Sequence, residues 1–258
     1  MLKPSLEEVK QLAKQYNTIP VFYEFSADNQ TPLNIYTAFA KNSKNSFILE
    51  SVSNGVQWDR YSFIGFSPEK EIRMMGNTAE IRSGDAVQTE QVEEPIAFLK
   101  KMLAEYRAPS YPDAPHFTGG LIGYFGYDTV RYVEKRLTNV PEDDIHMPDC
   151  HLFLYEELIA YDHLTSNGIV ILNLHTDGDL GAQYAAAQWR AEELAHIVRN
   201  YHCQPQETHH KGEAMVHSNL TKEQYSKMVQ DAKEYIRNGD IFQIVLSQRF
   251  EISNPPDS

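Results

Sequence analysis

The sequence predicts an α+β protein made mostly of antiparallel sheets with packing helices. Residues 71–90 contain three short β-like runs separated by two glycine turns, which is the pattern of an antiparallel meander. Residues 152–161 and 169–174 form a second pair of β runs, joined through Asn167-Gly168, a strong type I′ hairpin signal. Helical patterns lie between these regions and do not alternate with single strands, which argues against a parallel βαβ sheet.

The N-terminal elements are predicted from capping residues and apolar periodicity. Ser5 and Glu8 have capping-box spacing ahead of an apolar helical stripe, so a helix opens the chain. Thr31-Pro32 supplies an N-cap and a first-turn proline for a short helix through Phe39. Their β-rich composition predicts strands at residues 21–25 and 46–52.

Three further helices follow from the same kinds of signal. One begins behind Pro95, where apolar residues form a single helical stripe, and a long one covers residues 180–201, which are rich in Ala, Gln and Glu. Thr221 and Gln224 form another capping box, and the amphipathic helix that they start is predicted to end at Gly239.

The domain organisation is predicted from a polar segment without periodicity. Residues 203–218 are rich in Gln, Glu, His and Lys and have neither helical nor strand spacing, which predicts a linker. The linker separates an N-terminal region, residues 1–202, from a C-terminal region, residues 219–258.

The last predicted strand, residues 241–250, carries the first candidate site. Gln243, Ser247 and Arg249 alternate with apolar residues and would share one face of the strand. The guanidinium fork of Arg suits a carboxylate and Gln both donates and accepts, so a small polar acid is a reasonable ligand. A solvated sheet face is the alternative interpretation.

Composition excludes several classes of protein. The 258 residues include 23 basic and 36 acidic side chains, a formal charge of −13, and such a charge repels the phosphates of nucleic acid. Only two cysteines are present, which fits a reducing compartment, so we expect a cytoplasmic location. The N-terminus lacks the apolar core of a secretory signal, and the apolar stretches are too short for a membrane span.

Two further clusters favour structural interpretations. The four glycines among residues 119–126 do not have nucleotide-binding spacing and are interleaved with bulky apolar residues, which indicates a strand crowded against another backbone. Asp128 and Arg131 are expected to form a structural pair beyond that strand. Residues 142–151 include every type of metal ligand but no zinc spacing, so we predict an acidic loop and assign no metal to this chain.

Four motifs in sequence carry a resemblance to a known family. They read FILES at residues 47–51, WDRYSFIG at 58–65, GGLIGYFGYD at 119–128 and GDIFQIVLSQR at 239–249. Together they resemble component I of anthranilate synthase, a chorismate-utilising family, from about Pro20 to Arg249. Because members of the family are considerably longer, the resemblance implies an N-terminal fragment with an incomplete chorismate-binding fold.

The resemblance also implies a function. The parent enzyme would be a magnesium-dependent lyase that converts chorismate to anthranilate, with ammonia delivered by a separate glutamine amidotransferase subunit. The catalytic glutamates and histidine of the family, and its Mg²⁺ ligands, have no counterpart in this chain, so the fragment alone is expected to be inactive. Two alternatives stay open: aminodeoxychorismate synthase component I, and a noncatalytic amino-acid-sensing or subunit-docking module.

Individual site residues are carried over from the matching motifs. In the family, the segment matching Leu49, Glu50 and Ser51 helps to bind L-tryptophan as a feedback inhibitor, and Arg60 is expected nearby. Relatives that add water to chorismate tend to carry lysine where this chain has Gln243, and glutamine cannot act as a general base. Gln243 therefore favours the ammonia-using branch, and Arg249 is the candidate cation for the chorismate site.

Overall fold

The computed structural model describes residues 1–50, 60–140, 142–203 and 215–254. It contains two compact units, Met1–Cys203 and Gln204–Ser258. The helices of the described residues are α1 Leu6–Leu12, α2 Pro32–Ala40, α3 Pro95–Ala104, α4 Val130–Val133, α5 Leu180–Asn200 and α6 Lys222–Asn238. The strands are β1 Thr18–Ser26, β2 Ser46–Leu49, β3 Tyr61–Phe66, β4 Lys70–Met75, β5 Thr78–Ser83, β6 Ala86–Gln91, β7 Gly120–Phe125, β8 Cys150–Tyr155, β9 Glu157–Asp162, β10 Asn167–His175, β11 Met215–Ser218 and β12 Phe250–Ser253.

The first unit contains two five-stranded antiparallel sheets, and the predicted α+β class is confirmed. The first sheet has the order β1-β10-β9-β3-β2 and the second has the order β6-β5-β4-β8-β7. The predicted meander is the β4-β5-β6 part of the second sheet, with its strands adjacent as expected. The second predicted hairpin, β9-β10, lies in the middle of the first sheet.

The β region predicted over residues 152–161 is confirmed, but it is not one continuous strand. That segment forms two strands in two different sheets, β8 in the second and β9 in the first, with Glu156 alone between them. Both halves are apolar because each lies inside its own sheet and is covered on both faces. The two apolar halves therefore resembled one β region, and the Glu156-Glu157 pair between them was the sequence feature that coincides with the change of sheet.

The turn of the β9-β10 hairpin is also displaced from its predicted position. Asn167 pairs with Asp162 inside the ladder, and the reversal occurs through residues 163–166, with Ser166 at a positive φ of 55°. A Cβ on Gly168 would lie 2.3 Å from the ring of Phe25. The glycine is therefore needed for close packing within the strand and not for the turn.

Helices cover one face of the first sheet. α5 places Ala187, Ala191 and Leu194 in the same apolar cluster as Ile159 and Val170 from the strands. The small alanines allow α5 to lie close to the sheet. The capping box predicted for α1 and the N-cap predicted for α2 are present, with Ser5, Glu8 and Thr31 making the expected hydrogen bonds.

The glycine-rich segment forms strand β7, as predicted, and this strand lies at the edge of the second sheet. A Cβ on Gly123 would lie 2.0 Å from the carbonyl oxygen of His151 on β8, so the neighbouring backbone leaves no room for a side chain. Beyond the strand, the Nε of Arg131 donates to Asp128 over 2.8 Å, which confirms the predicted pair.

The second unit confirms one predicted helix and corrects one predicted strand. α6 has the Thr221 and Gln224 capping box and ends at Gly239, whose φ is +81°. Residues 241–249 are irregular, and the strand is the shorter β12, paired with β11. Since β11 lies inside the predicted linker, at least its last four residues are ordered. The proposed domain boundaries otherwise stay predictions.

Candidate functional site

The predicted tryptophan-sensing residues lie around the end of β2. Leu49 is the last residue of this edge strand and pairs with Phe63 of β3, with its side chain 47% exposed. Glu50 follows directly and is exposed. Ser51 lies outside the described residues. The chain is described again from Arg60, immediately before β3, so both ends of the segment are held by the same pair of strands.

Arg60 is fixed by a two-pronged contact with Asp162. Its Nε donates to Oδ1 over 3.0 Å and its Nη2 donates to Oδ2 over 2.6 Å. The guanidinium also lies over the ring of Tyr61, 5.0 Å from the centroid. A planar guanidinium bound in this manner has a defined orientation, so Arg60 anchors the start of β3.

Asp162 is the buried centre of this arrangement, with 3% of its surface exposed. Its Oδ1 also accepts from the Leu164 N–H, and its Oδ2 accepts from the hydroxyl of Thr165. Burial opposes the charged form, but the hydrogen bonds from Arg60, Leu164 and Thr165 outweigh it and lower the pKa of Asp162. The Arg60–Asp162 ion pair therefore has little net charge, because the carboxylate of Asp162 balances the positive charge of Arg60.

A second contact joins β3 to the same hairpin. The Oγ of Ser62 lies 2.7 Å from Nε2 of His163, and the His163 N–H donates to the carbonyl of Arg60 over 2.9 Å. Sequence reasoning did not find Asp162 or His163, because they lie about a hundred positions from their partners. Only the strand register brings β3 and β9 together.

The second predicted site does not have the expected strand geometry. Gln243 is exposed and lies in the irregular segment that precedes β12, so it does not share a strand face with Ser247 and Arg249. The backbone N–H of Arg249 donates to Oδ1 of Asn219 over 2.9 Å, and its Nε lies 3.1 Å from Oε1 of Glu251. The roles of Gln243 and Arg249 in binding chorismate stay predictions.

The described residues do not fit a magnesium site. Within them, no group of three or more His, Cys, Asp or Glu side chains is arranged to hold a metal ion. In the loop between β7 and β8, for example, Asp143 accepts from the backbone N–H groups of Ile145 and His146. We therefore derive no chemical step through Mg²⁺ from this chain. Among the helices described, none is long and apolar enough to cross a membrane.

Comparison with known proteins places these features in a family. Residues 71–258 match the family described as chorismate binding enzyme. The chain is 39% identical over 255 residues to anthranilate synthase component 1 of Acetivibrio thermocellus, covering 96% of this chain and 51% of that protein. It is 38% identical to the same component of Pseudomonas aeruginosa, with 95% and 51% coverage.

A solved structure agrees with the sequence relatives. Anthranilate synthase component I of Streptococcus pneumoniae superimposes with a TM-score of 0.58 at 28% identity, over 77% of this chain and 43% of that chain. The chain thus spans about half the length of the curated relatives it matches. Because the family match covers well over half of its residues, this chain belongs to the family of chorismate-binding enzymes.

Proposed function

We propose that the full-length polypeptide containing this chain is component I of anthranilate synthase. It would convert chorismate and ammonia to anthranilate, pyruvate and water, in tryptophan biosynthesis. The observation that carries this proposal is the match of nearly the whole chain, at 39% identity, to a component 1 of that enzyme. The ammonia is proposed to come from glutamine through a separate amidotransferase subunit, and Mg²⁺ is proposed to be bound outside the described residues.

Activity of the full-length protein tests this proposal. With chorismate, ammonium and Mg²⁺, we expect anthranilate fluorescence and one pyruvate for each anthranilate. Release of pyruvate without anthranilate, or formation of an amino derivative that keeps the enolpyruvyl group, would contradict it. The second result would identify the aminodeoxychorismate branch. The 258-residue chain alone, under the same conditions, is expected to give no anthranilate above background.

The end of β2 is proposed to contribute to feedback inhibition by L-tryptophan. Support comes from its position: Leu49 and Glu50 are exposed at a strand end whose neighbour is fixed by the Arg60–Asp162 contact. Two exposed residues beside a strand that is already held in place can bind a ligand with little loss of conformational entropy. The inhibitor would bind remotely from the chemistry, so binding and turnover can be separated by mutation.

A bulky residue at Ser51 tests the inhibitor site. In the full-length protein, Ser51→Phe should raise the tryptophan concentration for half-inhibition at least about tenfold, since each factor of ten corresponds to about 1.4 kcal/mol of lost binding. Uninhibited turnover should stay within about twofold. Ser83→Phe, at an exposed position on β5, is the matched control and should leave inhibition unchanged. An unaltered inhibition curve for Ser51→Phe would remove this residue from the site.

A further inference from the structure

The first residues of β3 decide where the end of β2 lies. Among the described strands, β2 is at the edge of the first sheet, and Leu49 at its end pairs with Phe63 of β3. β3 pairs in turn with β9, where Tyr61 lies opposite Asp162. Since an edge strand takes its ladder hydrogen bonds from one neighbour, the exposed residues Leu49 and Glu50 are placed by whatever holds the start of β3.

The start of β3 is held by the last residue of β9 and by the residue that follows it. Besides the two-pronged Arg60–Asp162 contact, the His163 N–H donates to the Arg60 carbonyl, and the Nε2 of His163 lies 2.7 Å from the Oγ of Ser62. Ser62 is fully buried, and Asp162 is 3% exposed. Because a buried polar group that loses its partner is costly, these contacts give the start of β3 one well-defined position.

The guanidinium of Arg60 is already engaged by a carboxylate of the protein. Its Nε and Nη2 both donate to Asp162, and its plane lies over the ring of Tyr61. Hydrogen bonds from Leu164 and Thr165 join that of Arg60 in lowering the pKa of Asp162, so this carboxylate is charged at neutral pH. The carboxylate of a free amino acid would have to displace it, and would lose translational freedom that Asp162 does not lose. This geometry disfavours Arg60 as a direct ligand of the inhibitor.

We infer that Arg60, Asp162 and His163 are positioning residues for inhibition by L-tryptophan, and that Arg60 does not itself bind the inhibitor. They act through the start of β3 on the end of β2, whose exposed residues contact the ligand. The inference rests on the proposed inhibitor site and extends its control to the β9-β10 hairpin, about a hundred positions further along the chain. A site that is ordered before the ligand arrives binds more tightly, so loosening the start of β3 weakens inhibition.

A double-mutant cycle in the full-length protein separates positioning from direct binding. Calorimetry gives the dissociation constant of L-tryptophan for Arg60→Gln, for Asp162→Asn and for the double variant. Each single change should raise this constant at least about fivefold, and the double variant should match the weaker-binding single variant within about twofold, because both changes remove the same contact. If Arg60 bound the inhibitor, Asp162→Asn would release its guanidinium, and the dissociation constant would stay equal or fall. That result, or additive losses in the double variant, would overturn the inference.

The His163 contact gives a second test that removes no buried side chain. His163 is exposed, so His163→Ala should fold, and it should raise the dissociation constant at least about threefold because Ser62 loses one partner. The amide of His163→Gln can both donate and accept, and this variant should restore the wild-type constant within about twofold. Unchanged binding in His163→Ala, or equal weakening in both variants, would contradict the role of this contact.

Two control variants on β9 distinguish positioning from general destabilisation. Glu157→Gln, at the other end of the same strand, breaks an equally two-pronged contact with Arg190, and Ile159→Ala removes packing from the core. Both should leave the dissociation constant of tryptophan within about twofold of wild type, since neither touches the start of β3. Tryptophan binding that weakens in step with stability across all variants would overturn the inference.

Calorimetry also separates this inference from the function on which it rests, because it needs no turnover. A wild-type protein that binds tryptophan but forms no anthranilate would refute the proposed enzyme alone. A wild-type protein that does not bind tryptophan would refute the proposed inhibitor site and this inference together. Binding in the wild type that is unchanged in Asp162→Asn and in His163→Ala would refute this inference alone.

Discussion

The two units of this chain differ most in how far their apolar residues are buried. In Met1–Cys203, apolar clusters lie on both faces of the first sheet and within the second. In the described part of the second unit, residues 215–254, Ala232 is the one buried side chain, and Phe242 is 93% exposed. The first unit is thus stabilised by burial, whereas the second has local contacts such as capping boxes and one short strand pair.

The difference shows which elements need tertiary partners. α6 forms in a unit with almost no core because its cap, its glycine stop and its own backbone hydrogen bonds are local. A strand has no such local support, since its hydrogen bonds come from a neighbour. Residues 241–249 have strand-like alternation but are irregular, because within the described residues no strand pairs with them.

Amide hydrogen exchange should show the largest contrast between the units. Central strand β9 has ladder partners on both sides, whereas residues 241–248 have none among the described residues. We expect exchange in β9 to be slower by at least about a thousandfold after correction for intrinsic rates, because its opening approaches global unfolding. Equal protection of the two segments in a dilute monomer would contradict the difference in stability between the units and indicate a ladder partner for residues 241–248.

A matched pair of truncations should give the next largest effect. Ile159 is fully buried in the first sheet, and Ile236 is 43% exposed on α6. Ile159→Ala should lower the free energy of unfolding by about 3 kcal/mol, the sum of lost transfer energy and a cavity. Ile236→Ala should change it by less than about 0.5 kcal/mol. Urea unfolding followed by far-ultraviolet circular dichroism measures both, and similar values would mean that α6 is covered after all.

The Arg60–Asp162 contact should contribute a smaller, pH-dependent amount. Asp162 is buried, but the side chain of Arg60 is 43% exposed. Asp162→Asn should therefore lower the free energy of unfolding by about 2 kcal/mol at pH 7. The pKa of Asp162 is lowered on folding, so this stabilisation is present above the unfolded value of about 3.9 and is lost as the pH falls through the folded value. The difference in free energy of unfolding between wild type and Asp162→Asn should therefore become smaller in acid. Asp128→Asn, which breaks an exposed pair, should show almost no difference at any pH.

The His175–Glu156 contact should give the smallest effect, with the opposite pH direction. The hydrogen bond to Glu156, over 3.0 Å, raises the pKa of His175 on folding. Its stabilisation is therefore complete below the unfolded value of about 6.5 and is lost as the pH rises through the folded value. Solvent exposure limits it to less than about 1 kcal/mol. His175→Asn and Glu156→Gln should each flatten the pH dependence of unfolding between pH 6 and 8, and a steep slope in either variant would argue against this pair.

Local signals in the sequence predicted the local parts of the fold. The capping residues Ser5, Thr31 and Thr221 each begin a helix in the structure, and the glycine turns of the meander lie between adjacent strands. Asn167-Gly168 was misleading because the same dipeptide that favours a turn also permits close packing, and Phe25 uses that space. A neighbour distant in sequence decided between these two uses.

The candidate site could be predicted only in part for the same reason. The motif at residues 47–51 located the end of β2, but the contacts that fix the start of the neighbouring strand β3 come from Asp162 and His163 on a distant hairpin. Neither residue has a local pattern that differs from an ordinary strand end. The polar face expected for Gln243 and Arg249 depended on a strand, and the strand depends on a partner.

Glu156, the single residue between β8 and β9, determines which side chains of β9 face each side of the first sheet relative to those of β8 in the second. β8 ends one residue before it and β9 begins one residue after it, and successive residues of β9 contribute to opposite faces, with Leu158 and Ile159 in different apolar clusters. Deleting Glu156, or duplicating it, would exchange those faces along the whole of β9 while β8 stayed in place. The spacing between the two strands is therefore constrained more strictly than the identity of most residues in them. Insertions and deletions in proteins with this fold should occur instead in connections such as residues 126–149, whose length sets no strand register.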